Sequence, residues 1–309
     1  MAYNLKEQMS KPERFEAGHR LCAGCGAGIT CRAMMRALDP EDKAVICNAT
    51  SCLEVSSFQY PYTAWQDSYI HAAFENTSAV AAGVESAYKS LKKKGKIQDN
   101  FKILAIGGDG GTYDIGFQSL SGALERGHDF TYFCYDNEAY MNTGTQRSSA
   151  TPRFASATTT PAGTESVGKK QNQKDLTQIV VAHGSPYVAQ TTFLGNFKDF
   201  HEKAHKAIYT EGPTFVNVLC PCPRGWQYPA ELLPEICRLA VETCVWPLYE
   251  VENGEYHLTY MPKKKRPVEE FMRLQGRFRH CFKPGNEWTI EAAQQYVDQQ
   301  WEALLAKCK

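Results

Sequence analysis

The sequence predicts an α/β fold, a mostly parallel sheet with helices on both faces. Three observations predict it. Apolar runs of strand length alternate with amphipathic runs at helical spacing, the pattern of βαβ units. One strand-to-helix junction is the glycine-rich run Gly107-Gly108-Asp109-Gly110-Gly111, as found where strands end at a ligand. The chain has 309 residues, 43% hydrophobic and 22% charged, enough for one large globular domain or two small ones.

Residues 77–93 have helical spacing. Residues 101–107 (FKILAIG) read as a buried strand, and 114–126 as a helix through Ile115, Leu120, Ala123 and Leu124. The next strand is 130–135 (FTYFCY). Residues 179–182, 187–192 and 214–219 are further expected strands, with a helix over 197–209 before the last of them. Residues 150–174 are rich in Ser, Thr, Gly, Lys and Gln and read as a long functional or mobile loop. We divide the chain into a main domain, residues 1–245, and a C-terminal extension, 246–309. Within the extension, 261–285 holds eight Lys or Arg and two Glu, a solvated face or a subunit contact, and 288–307 reads as a final helix.

Lys plus Arg number 34 and Asp plus Glu 34, so the chain lacks the basic excess of a general nucleic-acid binder. No apolar run reaches the length of a membrane span, and the start MAYNLKEQMSKPERF has no apolar signal core, so a soluble cytoplasmic protein is expected. Twelve cysteines are many for that compartment, and without a small secreted scaffold some are expected to bind metal or a cluster.

At the glycine-rich junction, backbone N–H groups can approach a phosphate beside the positive end of the next helix. Asp109 would repel that phosphate unless it holds a bridging divalent cation. The next strand ends in Asp136-Asn137-Glu138-Ala139-Tyr140, with Asn137 lying 28 residues after Asp109. An Asn oxygen and a backbone carbonyl there suit magnesium.

Cys22 and Cys25 form a CxxC unit on a glycine-rich turn. Cys52 follows, and Cys220 and Cys222 come after the strand at 214–219. Four thiolates from Cys22, Cys25, Cys52 and either Cys220 or Cys222 suit zinc or an iron–sulfur cluster. Disulfide exchange at the CxxC lacks its usual context. In an extended segment Cys220 and Cys222 would share one face. Cys31, Cys47, Cys134, Cys237, Cys244, Cys281 and Cys308 have no paired spacing and are expected as buried filler.

The stretches CAGCGAG (22–28), NATSCLEVSS (48–57), PYTAWQDSYIHAAFEN (61–76), GGDGGTYDIGFQSLSGALERGHD (107–129), YDNEAYMNTGTQRSSATP (135–152) and PCPRGW (221–226) together carry a resemblance. Over roughly residues 15–250 the sequence resembles the β subunit of pyruvate and related 2-oxoacid:ferredoxin oxidoreductases. The resemblance implies a thiamine diphosphate-binding fold of the pyrophosphate type. It implies Mg²⁺ on Asp109, Asn137 and the Ala139 carbonyl, and a 4Fe-4S cluster on Cys22, Cys25, Cys52 and Cys222. Ala27, Cys52, Gly108, Asp109, Gly110, Gly111, Asn137, Ala139, Tyr140 and Asn142 would line the cofactor, with Asn142 facing the substrate as catalytic residue. Ala27 and Ser51 stand where versions of the motifs have Glu and Gly. The implied activity is oxidative decarboxylation of an oxoacid, pyruvate first, with 2-oxoisovalerate, 2-oxoglutarate or oxalate as alternatives. Coenzyme A would take the acyl group and ferredoxin the electrons. An α subunit would supply the Glu at the cofactor's aminopyrimidine and the substrate Arg, with γ and δ subunits completing the assembly. The reading from another class, a zinc-stabilised nucleotide-binding scaffold, leaves NEAYMNTG without a role.

Overall fold

A computed structural model describes residues 4–308; Met1–Tyr3 of the polar start and Lys309 of the extension lie outside the described residues. One eight-stranded sheet organises the chain. Its strands are β1 (Lys43–Ala49), β2 (Ser68–Ala72), β3 (Phe101–Gly108), β4 (Thr131–Asp136), β5 (Tyr187–Thr191), β6 (Thr214–Leu219), β7 (Tyr249–Glu252) and β8 (Glu255–Leu258), in the order β2-β1-β3-β4-β6-β5-β7-β8. The first six run parallel, β7 pairs antiparallel with β5, and β8 pairs antiparallel with β7.

Helices cover both faces, and β3 shows why its sequence is a continuous apolar run. Ile103 and Ala105 pack into one core, with the helices Thr77–Lys93 and Phe117–Glu125. Leu104 and Ile106 pack into the other, with Gly26–Met35 and Phe197–Tyr209. No helix among the described residues is long and apolar enough to cross a membrane.

Three local readings change. Residues 179–182 are not a strand: they fall at the end of the helix Leu176–Val181 and its C-cap. Asp175 caps that helix by accepting from the Gln178 N–H at 3.1 Å, and Leu176, Thr177 and Val180 bury one helical face. The helix expected from residue 114 is preceded by a π-helical turn, Gly110–Ile115, in which Gly116 N–H bonds to the Gly111 carbonyl five residues back at 2.7 Å. Six of the seven filler cysteines are buried, but Cys308 is only half-buried.

The extension begins with the β7–β8 hairpin, turning at Asn253-Gly254 with both residues at positive φ. It continues through the helix Val268–Arg273, a 3₁₀ turn at Gly276–Phe282 and the helix Glu287–Leu305. Its basic stretch is not all solvated: Lys265, Arg266 and Arg273 make ion pairs near the surface, but Arg277 is 2% exposed.

Candidate active site

The order of β2, β1, β3 and β4 reverses the direction of chain progress between β1 and β3, and a pocket opens at their carboxyl ends. Cys52, Gly108, Asp109, Gly110, Gly111, Asn137, Ala139, Tyr140 and Asn142 all line it, joined by Thr50, Ser51, Phe74 and Tyr135. Ala27 does not: it is buried in the first turn of Gly26–Met35, below the Cys25 sulfur.

The glycines are needed here for space. A Cβ on Gly110 would lie 2.4 Å from the Tyr140 ring, whose hydroxyl donates to the Gly110 carbonyl at 2.9 Å. A Cβ on Gly111 would lie 2.8 Å from the Phe74 carbonyl oxygen.

Asp109 is 1% exposed and held at both oxygens. Asn137 N–H donates to Oδ1 at 3.3 Å and the Ser148 hydroxyl to Oδ2 at 2.5 Å. One terminal atom of the Asn137 amide lies 2.9 Å from both Asp109 Oδ1 and the Ala139 carbonyl oxygen. With its nitrogen there, the amide donates to both. With its oxygen there, three acceptors meet, and a hard divalent cation suits such an all-oxygen set. The electrostatics point the same way. Burial pushes the Asp109 carboxyl up to about 7, and burial together with Asp109 and Glu138 pushes Asp136 well above the usual range. An acidic group of this kind fits a divalent cation.

Two loops bring the thiols beside this pocket. The backbone at Gly26 packs on Cys220 and Pro221, where any Cβ would lie 2.8 Å from backbone atoms, and Gly26 N–H donates to the Pro221 carbonyl at 3.2 Å. Cys25, Cys52 and Cys222 are half-buried and Cys22 is exposed. Burial pushes Cys25 up to about 11, with the Cys222 and Cys22 sulfurs adding to it. Burial pushes Cys52 up to about 12, with Cys222, Cys25 and Cys22 adding. The four sulfurs thus feel one another, and Cys52 also lines the pocket. No three His, Cys, Asp or Glu side chains among the described residues converge on a point as ligands of one ion do. Cys220 and Cys222 do not share surroundings. Cys220 is 1% exposed with its sulfur 3.4 Å from Thr30 Oγ1, whereas Cys222 caps the turn Pro223–Trp226 and accepts from Gly225 N–H at 3.4 Å.

Sequence reasoning missed Ser148, which fixes Asp109, although it lies inside the YDNEAYMNTGTQRSSATP stretch. It also missed Trp226, whose Nε1 donates to the Asn137 carbonyl at 2.8 Å, and Arg277, which pairs with Glu138. Only spatial adjacency reveals the last.

Residues 47–218 match the model of the thiamine pyrophosphate enzyme C-terminal TPP binding domain. The chain is 51% identical to pyruvate synthase subunit PorB of Methanocaldococcus jannaschii, covering 96% of this chain and 98% of that one. It is 50% identical to PorB of Thermotoga maritima, covering 99% and 96%. Identity to ketoisovalerate oxidoreductase subunit VorB of Pyrococcus furiosus is 43%, covering 97% and 96%. A 2-oxoglutarate:ferredoxin oxidoreductase structure from Magnetococcus marinus shares the fold, with a TM-score of 0.56 and 22% identity over 77% of this chain and 81% of that one.

Fold and pocket therefore define a thiamine pyrophosphate-binding domain. More particularly, the chain belongs to the β-subunit family of the 2-oxoacid:ferredoxin oxidoreductases, that of the PorB and VorB chains.

Proposed function

We propose that this chain is the β subunit of a pyruvate-oxidising complex, working in the cytoplasm, that holds Mg²⁺-thiamine diphosphate at the carboxyl ends of β1, β3 and β4 and a 4Fe-4S cluster beside it. The observation that carries the reading is that Cys52 lines the Asp109 pocket and lies near enough to Cys22, Cys25 and Cys222 for their charges to act on it. Asp109, Asn137 and the Ala139 carbonyl would hold the magnesium, and the backbone of Gly108–Gly111 would face the diphosphate. Cys22, Cys25, Cys52 and Cys222 would hold the cluster. Bound there, thiamine diphosphate supplies the electron sink that decarboxylation of an oxoacid needs, and the cluster a one-electron acceptor beside it.

This chain's own residues bind and orient. Ser148 keeps Oδ2 of Asp109 turned to one side, leaving Oδ1 toward Asn137 and Ala139. Tyr140 closes over Gly110 and narrows the pocket against water. Asn142, exposed and lining the pocket, would donate to the substrate. The titratable lining is Cys52, Asp109, Tyr135 and Tyr140. We assign the Glu at the aminopyrimidine and the Arg at the substrate carboxylate to a partner α subunit. γ and δ subunits, coenzyme A and ferredoxin complete the reaction.

Turnover of the purified native complex on pyruvate, 2-oxoisovalerate, 2-oxoglutarate and oxalate tests the reading, together with its iron and acid-labile sulfide content. Pyruvate is expected to be the best substrate, with coenzyme A and ferredoxin required. Preference for another oxoacid would move the substrate assignment, and a complex without labile sulfide would remove the cluster.

A further inference from the structure

Three segments remote in sequence meet around one buried cation. Arg277, from the 3₁₀ turn of the extension, is 2% exposed and Glu138 is 1% exposed. Arg277 Nη2 donates to Glu138 Oε2 at 2.5 Å and its Nε to Gln275 Oε1 at 2.8 Å. The guanidinium carbon lies 3.7 Å from the centre of the Trp226 ring. Trp226 in turn donates its indole N–H to the Asn137 carbonyl at 2.8 Å and its backbone N–H to the Cys222 carbonyl at 2.9 Å. The approach is fixed closely: Gly276 N–H donates to the Gln227 carbonyl at 3.2 Å, and a Cβ on Gly276 would lie 2.7 Å from Gln227 Cβ.

The position of Glu138 gives this contact a consequence for the site. Glu138 stands between Asn137 and Ala139 with φ of 65°, a reversal that a Glu rarely adopts. That reversal turns the Asn137 side chain and the Ala139 carbonyl toward Asp109 while the Glu138 side chain points away, onto Arg277. The guanidinium holds the loop from behind through the carboxylate and, through Trp226, holds the Asn137 carbonyl and the turn carrying Cys222.

We infer that Arg277 is a positioning residue for the cofactor site, a brace from the C-terminal extension that aligns the two magnesium-facing groups and the Cys222 turn together. The inference rests on the reading of the Asp109 pocket as the magnesium–thiamine diphosphate site. A planar, always-charged fork that can pair and stack at once fits the task, and lysine does not reproduce it.

The test separates positioning from fold stability. Removing one member of a buried pair leaves an uncompensated charge, whereas removing both relieves it. The complete complex, stripped of thiamine diphosphate, is compared as wild type, Arg277→Met, Arg277→Met with Glu138→Gln, Arg277→Lys and Asp109→Ala. Melting temperature and magnesium-dependent thiamine diphosphate affinity are measured on each. The single Arg277→Met is expected to lose both stability and affinity. The double variant is expected to regain most of the melting temperature while staying about tenfold or more weaker in cofactor affinity, the scale of losing an outer support of a metal site. Arg277→Lys keeps the charge and is expected to show the affinity loss even if the double variant does not assemble. Return of affinity together with stability in the double variant, or unchanged affinity in Arg277→Lys, overturns the brace alone. Magnesium-independent binding by wild type, matched by Asp109→Ala, overturns the pocket reading and the brace with it.

Discussion

The Asp109 pocket and the four thiols lie side by side, share Cys52, and are built in opposite ways. In the pocket, the protein holds its own groups in place. Ser148 and the Asn137 N–H grip Asp109, Tyr140 grips Gly110, and Trp226 and Arg277 hold the Asn137–Glu138 reversal. Around the thiols the protein brings four cysteines near one another without converging their sulfurs on a point, and fixes them lightly. Cys22 is exposed, and Cys222 is held only by backbone N–H groups of its own turn, that of Gly225 at 3.4 Å. A pocket organised in advance loses ligand when altered and keeps its shape. A ring of thiols gains its final geometry from what it binds. Alterations on the two sides should therefore fail differently.

The largest effect is expected at Asp109. Asp109→Ala removes the carboxylate proposed to hold the cation, and magnesium-dependent binding of thiamine diphosphate, measured by calorimetry, should fall below detection with the fold retained. The fold should not suffer, because burial raises this carboxyl from 3.8 to about 7. A raised folded value means the proton is held more tightly in the folded chain. The favourable contribution of the protonated group is complete below 3.8 and is lost as pH rises to about 7. Stripped of cofactor, Asp109→Asn should therefore match wild type in melting temperature near pH 4 and exceed it by pH 8. An Asp109 variant that unfolds at neutral pH would break the comparison.

Next in size is Cys222→Ser. A serine hydroxyl is a poor substitute for a thiolate on iron, and on this side the lost ligand should carry the loss of the whole group. Anaerobically purified Cys222→Ser complex should have sharply reduced iron and no wild-type reduced-cluster electron spin resonance signal, while retaining magnesium-dependent thiamine diphosphate binding. Loss of both at once would show that the two regions are one unit.

A smaller effect is expected at Asn142, which lines the pocket from an exposed position. Asn142→Ala should lower turnover by about tenfold or more, the scale of losing a positioned donor. Cofactor affinity and cluster content should stay at wild-type values. Lost magnesium binding or full turnover would remove Asn142 from its substrate-facing role.

How much of this was legible in the sequence follows the same division. GDGG at the end of one strand and DNEAYMNTG at the end of the next lie within one βαβ unit, so local order places Asp109 near Asn137, and the structure places both in one pocket. The six strands of the parallel sheet were only partly legible. β1 and β2 lie in the motif-rich stretch 43–72, and the sequence reading attached motifs there but no strands. The apolar run at 179–182 misled because period alone does not separate a short buried helix from a strand, and Asp175 as a cap was the overlooked signal. The Asn253-Gly254 turn was a hairpin signal passed over inside the extension. Arg277 was not legible at all, because it stands in a basic stretch and its partner lies 139 residues away. Long-range pairing of that kind is set by how the extension docks, which no local pattern encodes.

The smallest effect should be at Cys220, and it sharpens the comparison most. On sequence, Cys220 and Cys222 could exchange roles, being two residues apart after one strand. In the fold, Cys220 completes the end of β6: its N–H donates to the Asp136 carbonyl at 2.7 Å and its sulfur meets Thr30 inside the core. Cys222 lies beyond Pro221, at the head of a new turn among the other thiols. Cys220→Ser replaces a buried sulfur by a hydroxyl, and Thr30 is in place to satisfy it, so the cost should be about 1 kcal/mol or less. Iron content and the reduced-cluster signal of the Cys220→Ser complex should match wild type. Loss of the cluster in Cys220→Ser with its retention in Cys222→Ser would mean that the core-facing sulfur turns outward when the cluster is assembled. The division between a site built in advance and one completed by its ligand would then extend into β6 itself.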